Sequence, residues 1–471
     1  MRHIIVLLLA AQLEAQHTYE ARIDAIRKTP GFVAFWDFVR KDGERFAPYQ
    51  AKSGKADLRL DPVNYVLDYW GEGRAATMAD FPLLGAGPFG EAVQFRAEID
   101  ANFRPVLLIP RKRIHDSGLD VKGPGKSVTL VAWVQRESGS HAIAGIWHEG
   151  TDLAANSKQA KRVEQGMRQY ALFAGLAANN GASAAHVSEN GGSSFGDRYA
   201  RNLSVTPEKL PATWSMVGLR FDNQKNTVTS SLDGKETEYW VDNPEKHPFF
   251  QWPAKAWREG TYSPPESKAV ARKLITRSGA QRVELLTYPF TKVSVRYEGG
   301  KVVSRELVAL RANPFWFAHD LFSPASSDAG GPFTIGRVIH SSRGTGFIGA
   351  IGGVAVFNRV ISSKQLAQLA RRFLCGRHQP ATGVAAIGEF PRRALDAPGH
   401  RFRVGVGVHH LCDFIIAGRD AGGPRLVGQP LDLRYRARER LQAHDHAHVA
   451  VHGVARRAGR LRNGFRPEEG G

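Results

Sequence analysis

From Gly346 to Phe373 the chain reads GFIGAIGGVAVFNRVISSKQLAQLARRF. Apolar residues alternate around glycines through Phe347, Ile348, Ile351, Val354, Val356 and Phe357, which predicts a strand with a closely approached backbone. Asn358-Arg359 ends the run. Ser362 and Ser363 can cap a short helix that carries Leu366, Leu369 and Phe373 on one face. Period-two alternation recurs upstream, at GFVAFWDFV (31–39), AVQF (92–95), PVLLIP (105–110) and SVTLVAWVQR (127–136). AIAGIWHEG (142–150) is expected to pair with the last of these, and QYALFAGLA (169–177) to follow.

WSMVGLRFDNQKNTVTSSLDGKE (214–236) predicts a hairpin, with turns at Asp222-Asn223 and at Asp233-Gly234, a pair suited to positive φ. A second hairpin lies within 283–310 and turns at Gly299-Gly300. Residues 239–312 as a whole read as an insertion, rich in proline and aromatics at its start. PFTIGRV (332–338) predicts a strand just before the closing one. Residues 18–28 predict a short polar helix with Ile23 and Ile26 turned inward, stopped by Pro30-Gly31.

Trp36-Asp37-Phe38 on the first strand, the 127–136 strand, the 213–235 hairpin and the 333–373 closing unit resemble concanavalin A-like, laminin-G-like β-sandwiches. The resemblance spans 31–375. It implies an all-β jelly roll with insertions, a short helical lead-in at 16–30 and a short helix after the closing strand. It also implies a bacterial secreted protein that binds glycans or other surface ligands. Calcium is a frequent guest of such sandwiches, and Asp37, Asp152, Glu189 and Asp197 are the carboxylates that could hold it here.

Composition changes the picture at the two ends. Residues 1–16, MRHIIVLLLAAQLEAQ, carry an early Arg, an apolar run and a small residue at Ala15, which reads as a signal peptide over 1–15. The expected location is therefore secreted, periplasmic or cell-surface. No stretch is apolar enough over about 18 residues to span a bilayer. After Cys375 the chain holds 16 Arg, no Lys, no Trp and 8 of the 17 His. Residues 376–471 therefore read as a low-complexity basic tail, disordered or not a genuine domain. The net charge of +19 is scattered along the body without an aromatic-interleaved stripe, which argues against nucleic acid as a partner. Two cysteines, Cys375 and Cys412, exclude a disulfide framework.

Several motifs fail on inspection. Gly125-Lys126-Ser127 lacks the earlier glycine of a phosphate loop and precedes a strand. Gly192–Gly196 matches G-x-S-x-G around Ser194, but no convincing helix follows. Glu98 and Asp100 begin the three-carboxylate strand pattern of sandwich glucanases, and Phe103 stands where the third carboxylate belongs. The densest polar run of the body lies at 186–201, with His186, Glu189, Asn190, Asp197, Arg198, Tyr199 and Arg201. With His148 and Glu149 it forms the candidate ligand site, because sugars call for carboxylates, amides and an aromatic face together. Trp36, Trp133, Trp147, Trp214 and Trp316 sit at strand-like positions and read as core, whereas Trp252 and Trp257 could be exposed stacking platforms.

The expected function is thus a non-catalytic binding module for carbohydrate or a cell-surface ligand. One alternative is a polysaccharide-acting enzyme, a hydrolase or lyase, with a carboxylate pair such as Glu149 and Glu189. Another is a structural surface scaffold.

Overall fold

The computed structural model describes residues 18–139, 141–149, 167–174, 181–192, 202–326, 329–340 and 346–374. The signal-like segment, Asp152, Ser194, Asp197, Arg198, Tyr199, Arg201, both cysteines and the tail 376–471 lie outside these residues. No helix among the described residues is long and apolar enough to cross a membrane.

The described chain is a β-sandwich. Its first sheet runs β18 (Phe315–Trp316), β12 (Thr227–Leu232), β11 (Ser215–Asp222), β6 (Val128–Arg136), β20 (Gly349–Phe357), β1 (Phe32–Trp36) and β2 (Tyr49–Gln50), with β4 (Val93–Phe95) also on β20. The second runs β10 (Asn202–Lys209), β9 (Ala182–Val187), β8 (Met167–Phe173), β7 (Ala142–His148), β19 (Phe333–Ile335), β5 (Pro105–Ile109) and β3 (Asp61–Asn64). Every pairing in both sheets is antiparallel.

β6 explains why these strands read as near-continuous apolar runs. Leu130, Ala132 and Val134 enter the core between the sheets. Val131 and Trp133 point the other way, into a second cluster with Phe35, Phe89, Ile23 and Ile26. That outer cluster is roofed by two helices, α1 (18–27) and the helix after β20, which supplies Leu366, Leu369 and Ala370. A sheet covered on both faces has no polar side to show. Ser362 caps the closing helix reciprocally: its Oγ accepts from Gln365 N at 3.2 Å, and its own N–H donates to Gln365 Oε1 at 2.8 Å.

β20 carries the first sheet. It pairs with β6 along one edge and with β4 and β1 along the other, with a bulge between Ile351 and Gly353. The turn after β12 has Asp233 and Gly234 at φ 49° and 75°, and a Cβ at Gly234 would stand 2.8 Å from Ala367 Cα, so glycine lets the closing helix approach.

One expected pairing fails. The 142–148 strand does not pair with 128–136, because β6 and β7 lie in opposite sheets and the connection between them crosses the sandwich. Each strand is apolar on both faces, so sequence alternation gave no preference between partners. His141, just before β7, is half-buried in that crossing. Burial, with help from the Arg136 guanidinium, holds its imidazole pKa down at about 4.

Residues 239–312 build a separate five-stranded sheet, in the order β13 (Tyr239–Asp242), β17 (Lys301–Asn313), β16 (Thr291–Glu298), β15 (Gln281–Thr287) and β14 (Ala271–Ser278). A helix, α3 (Gln251–Arg258), precedes β14. Trp257 on it is half-buried against both the main core and the small cluster of Leu286, Val293 and Val295. Its Nε1 donates to Glu266 Oε1 at 3.1 Å. Trp252 is half-buried too. Neither is the exposed platform that the sequence suggested: an amphipathic helix on a sheet turns its tryptophans toward the apolar side. Trp36, Trp133 and Trp147 are core residues as expected, at 1% exposure or less.

Trp133→Ala should cost about 3–5 kcal/mol in urea unfolding, since it opens a cavity between sheet and roof. Stability should also fall as pH drops from about 6.5 toward 4, because the unfolded chain protonates His141 first. The ring is partly exposed, so the His141 share is about 1–2 kcal/mol, and His141→Asn should flatten that part of a stability-against-pH curve.

Candidate functional site

Phe333 stacks on Trp36 of the first sheet at 5.3 Å, so Phe333 and its partner Ile146 face the inter-sheet core. Gly145, Trp147 and their cross-strand partners therefore face outward. Ala171 and His186 follow Gly145 across β8 and β9, and Arg168 lies opposite Trp147. The outward face of the second sheet thus collects Trp147, Arg168, Phe173 and His186.

Helix α2 (Tyr65–Trp70) covers part of that face, packing Tyr65, Tyr69 and Trp70 on Val106, Leu108 and Ile339. Asn64 is its cap. The Asn64 Oδ1 accepts from Val66 N at 3.2 Å and Arg104 N at 3.0 Å, and its Nδ2 donates to the Arg74 and Asn102 carbonyls. So fixed, α2 places Tyr69 Oη 3.0 Å from His148 Nε2.

Glu149 is the hub at the end of β7, with a side chain 7% exposed. Its backbone N–H donates to Ile339 O at 3.0 Å. Its carboxylate accepts from Trp147 Nε1 at 3.1 Å, lies 2.8 Å from His340 Nε2, and sits 3.8 Å from Arg168 Nη2. The Arg168 guanidinium lies 5.9 Å from the Trp147 ring centre. His186 is fully buried, with ring centres of Trp147 and Phe173 at 5.6 and 4.6 Å. It belongs to strand β9, not to a polar loop as its surroundings in the sequence suggested; small residues around it (ASAAHV) hide the strand pattern.

Two further carboxylates, the half-buried Glu98 and the buried Asp120, are held by cations of their own. Glu98 pairs with Arg337, whose guanidinium lies 4.5 Å from the Tyr65 ring centre, and with Arg104 at 3.6 Å. Burial pushes the Glu98 carboxyl above its ordinary range, against the pull of both arginines and the Gly346 N–H. A Cβ at Gly346 would stand 2.2 Å from Glu98 Oε1, so the first glycine of the closing stretch is what lets this carboxylate reach the backbone. Asp120 is buried; it lies in an ion pair with Arg111 Nη2 (2.8 Å) and accepts from Lys122 Nζ (2.6 Å) and Gln169 Nε2 (3.2 Å). Burial pushes its carboxyl up, but Lys122 and Arg111 outweigh burial and leave it below the usual range.

The remaining predicted residues disperse. Glu189 is half-buried and Asn190 exposed, and both lie in the turn after β9. The Asn190 Oδ1 accepts from Gly192 N at 2.8 Å. Asp37 is buried, and its Oδ1 accepts from Val39 N and Arg40 N at 3.1 and 3.2 Å, closing a turn after β1. Among the described residues the one close group of His and carboxylate ligand atoms is His115, Asp116 and Asp120. It contains none of the four calcium candidates, and Lys122 bonds both of its aspartates.

Of the residues singled out in the sequence, His148, Glu149 and His186 lie in or beside this cluster; Tyr69, Arg168 and His340 join them there without having been singled out. Asn64, a good cap, with Tyr65 and Tyr69 at i, i+4 spacing, was a usable signal for α2. Nothing local ties His340 to Glu149.

No protein-family model matches the sequence, and no curated protein matches it. Among solved structures the chain is similar to domain 4 of an extracellular arabinanase from Geobacillus stearothermophilus in complex with arabinotriose, at 10% identity and a TM-score of 0.34, over 73% of this chain and all of that one. It is similar to botulinum neurotoxin type C at 7% identity and a TM-score of 0.30, over 74% of this chain and 53% of that one. It is similar to the Trypanosoma rangeli sialidase at 11% identity and a TM-score of 0.30, over 79% of this chain and 40% of that one. At these scores none of the three carries an argument about this chain.

Asp120→Asn should cost about 3–5 kcal/mol in chemical unfolding at pH 7, because it leaves Arg111 and Lys122 around a neutral, buried partner. A change below 1 kcal/mol would contradict this reading of the cluster.

Proposed function

We propose that the chain is a non-catalytic binding protein: a concanavalin A-like, laminin-G-like sandwich, secreted, periplasmic or held at the cell surface. It takes carbohydrate or another cell-surface ligand at the Glu149 end of the second sheet. The observation that carries this reading is the set of groups gathered there. Glu149, Arg168 and His340 supply an acceptor and donors of fixed direction, with the buried Trp147 holding the Glu149 carboxylate through Nε1. Sugar hydroxyls call for such a set of acceptor and donors. The groups hold one another in place before a ligand arrives, which lowers the ordering cost of binding. His340, with a side chain 14% exposed, is the more open member of its pair with Glu149 and the point of entry.

A polysaccharide-cleaving role for Glu149 with Glu189 has less support. Glu149 and Glu189 follow strands separated by β8, about 10 Å apart at two strand spacings. Glu149 keeps the parity of the outward-facing Trp147, whereas Glu189 keeps that of Val187, the cross-strand partner of the core residue Tyr170. Arg168 also sets a positive charge 3.8 Å from Glu149, where a general acid needs its protonated form favoured.

A glycan array probed with the wild-type chain and with Glu149→Gln tests the proposal. At least one glycan class should be retained, and Glu149→Gln should weaken it tenfold or more at a temperature where circular dichroism shows both proteins fully folded. Equal binding by both proteins, or none by either, would sink the site. Release of sugar products from polysaccharide, lost in Glu149→Gln, would replace the binding module with an enzyme.

A further inference from the structure

The five-stranded sheet ends in a strand unlike any other in the described chain. All eight residues of β14 are exposed. It is the terminal strand, paired on one side only, with β15. Strand edges offer unsatisfied N–H and C=O groups to any other extended chain. β14 also presents Leu274 and Ile275 at 51% and 53% exposure, with Val270 just before it at 73%. A bulge at Ile275 breaks the pleat, so continuous pairing is available over Ala271–Leu274.

Charge selects what can pair there. Between Lys268 and Arg282 the chain carries five cations (Lys268, Arg272, Lys273, Arg277, Arg282) and no acid. Glu284 holds both Arg272 and Arg282 at 3.2 Å. Lys273 and Arg277 make no ion pair among the described residues and stay available. A second copy of the chain is disfavoured at this edge. Two β14 strands paired antiparallel about their centre would set Arg272 against Arg277, or Lys273 against Arg277, depending on register. Like charges directly opposite one another destabilise a strand pair. An acidic strand meets the opposite situation: it gains backbone hydrogen bonds, covers Leu274 and Ile275, and neutralises cations that lack partners.

We propose that the β14 edge is a docking site for an acidic, extended peptide segment of a partner protein, which adds to the sheet as a sixth strand. This surface lies on a different sheet from the Glu149 cluster and does not depend on what binds there.

The test uses the full chain and a fluorescein-labelled ten-residue peptide of Glu, Val and Thr, read by anisotropy. Saturable binding is expected. A version N-methylated at alternate residues should bind at least tenfold more weakly, because it cannot donate its hydrogen bonds along one edge. Lys273→Glu with Arg277→Glu changes two exposed side chains. It should weaken the acidic peptide at least tenfold and admit a Lys-containing counterpart, with an unchanged melting temperature. Equal binding of the N-methylated peptide, of polyglutamate or of phosphatidylserine vesicles would show that charge alone is read and would overturn strand addition. No binding of the acidic peptide would overturn it outright.

Discussion

The sandwich depends on the ladder that β20 forms with both of its neighbours. β20 joins the N-terminal strand β1 to β6, so a segment from near residue 350 holds together elements from near residues 35 and 130. Such long-range pairings close large loops, and their cost is recovered only when the strand is buried on both faces. β20 meets that condition: all nine of its residues are buried. The same stretch starts at Gly346, whose missing side chain admits Glu98, and ends in the helix that roofs the first sheet. Fold and polar architecture therefore meet in one segment.

The polar architecture follows one rule. Each buried carboxylate on the second sheet and its flanks stands beside at least one arginine: Glu149 with Arg168, Glu98 with Arg337 and Arg104, Asp120 with Arg111. A buried charge is tolerated only when it is paired and hydrogen-bonded. Pairing of this kind fixes the side-chain geometry of each cluster. It also divides the molecule into two surfaces of different physics: a preorganised, largely buried cluster on the second sheet, and an exposed basic edge on the third.

The legible part of this design was its periodicity. SVTLVAWVQR and GAIGGVAVF could be recognised as strands because β-branched residues, alternation and glycine all agree. Ser362, Asp233-Gly234 and Gly299-Gly300 were legible as cap and turns, because caps and positive-φ turns are made by residues adjacent in the chain. β9 was not legible. In ASAAHV the burial comes from neighbouring strands, and small residues give no alternation to read. His148 and Glu149 could be singled out by residue type, but Tyr69 and His340, their partners, stand 79 and 191 positions away in the chain.

The sequence by itself determined that the chain is all-β, where most strands and turns fall, and that a short helix follows the closing strand. These are properties of residues within a few positions of one another. Tertiary structure alone decided that β6 and β7 part into opposite sheets, because strands apolar on both faces pair equally well with several partners until the whole core is packed. It also decided that Glu149 meets His340 and Arg168, and that β14 is left at an edge. Strand order, register and charge pairing are set by which surfaces can be buried together, and no local pattern encodes that.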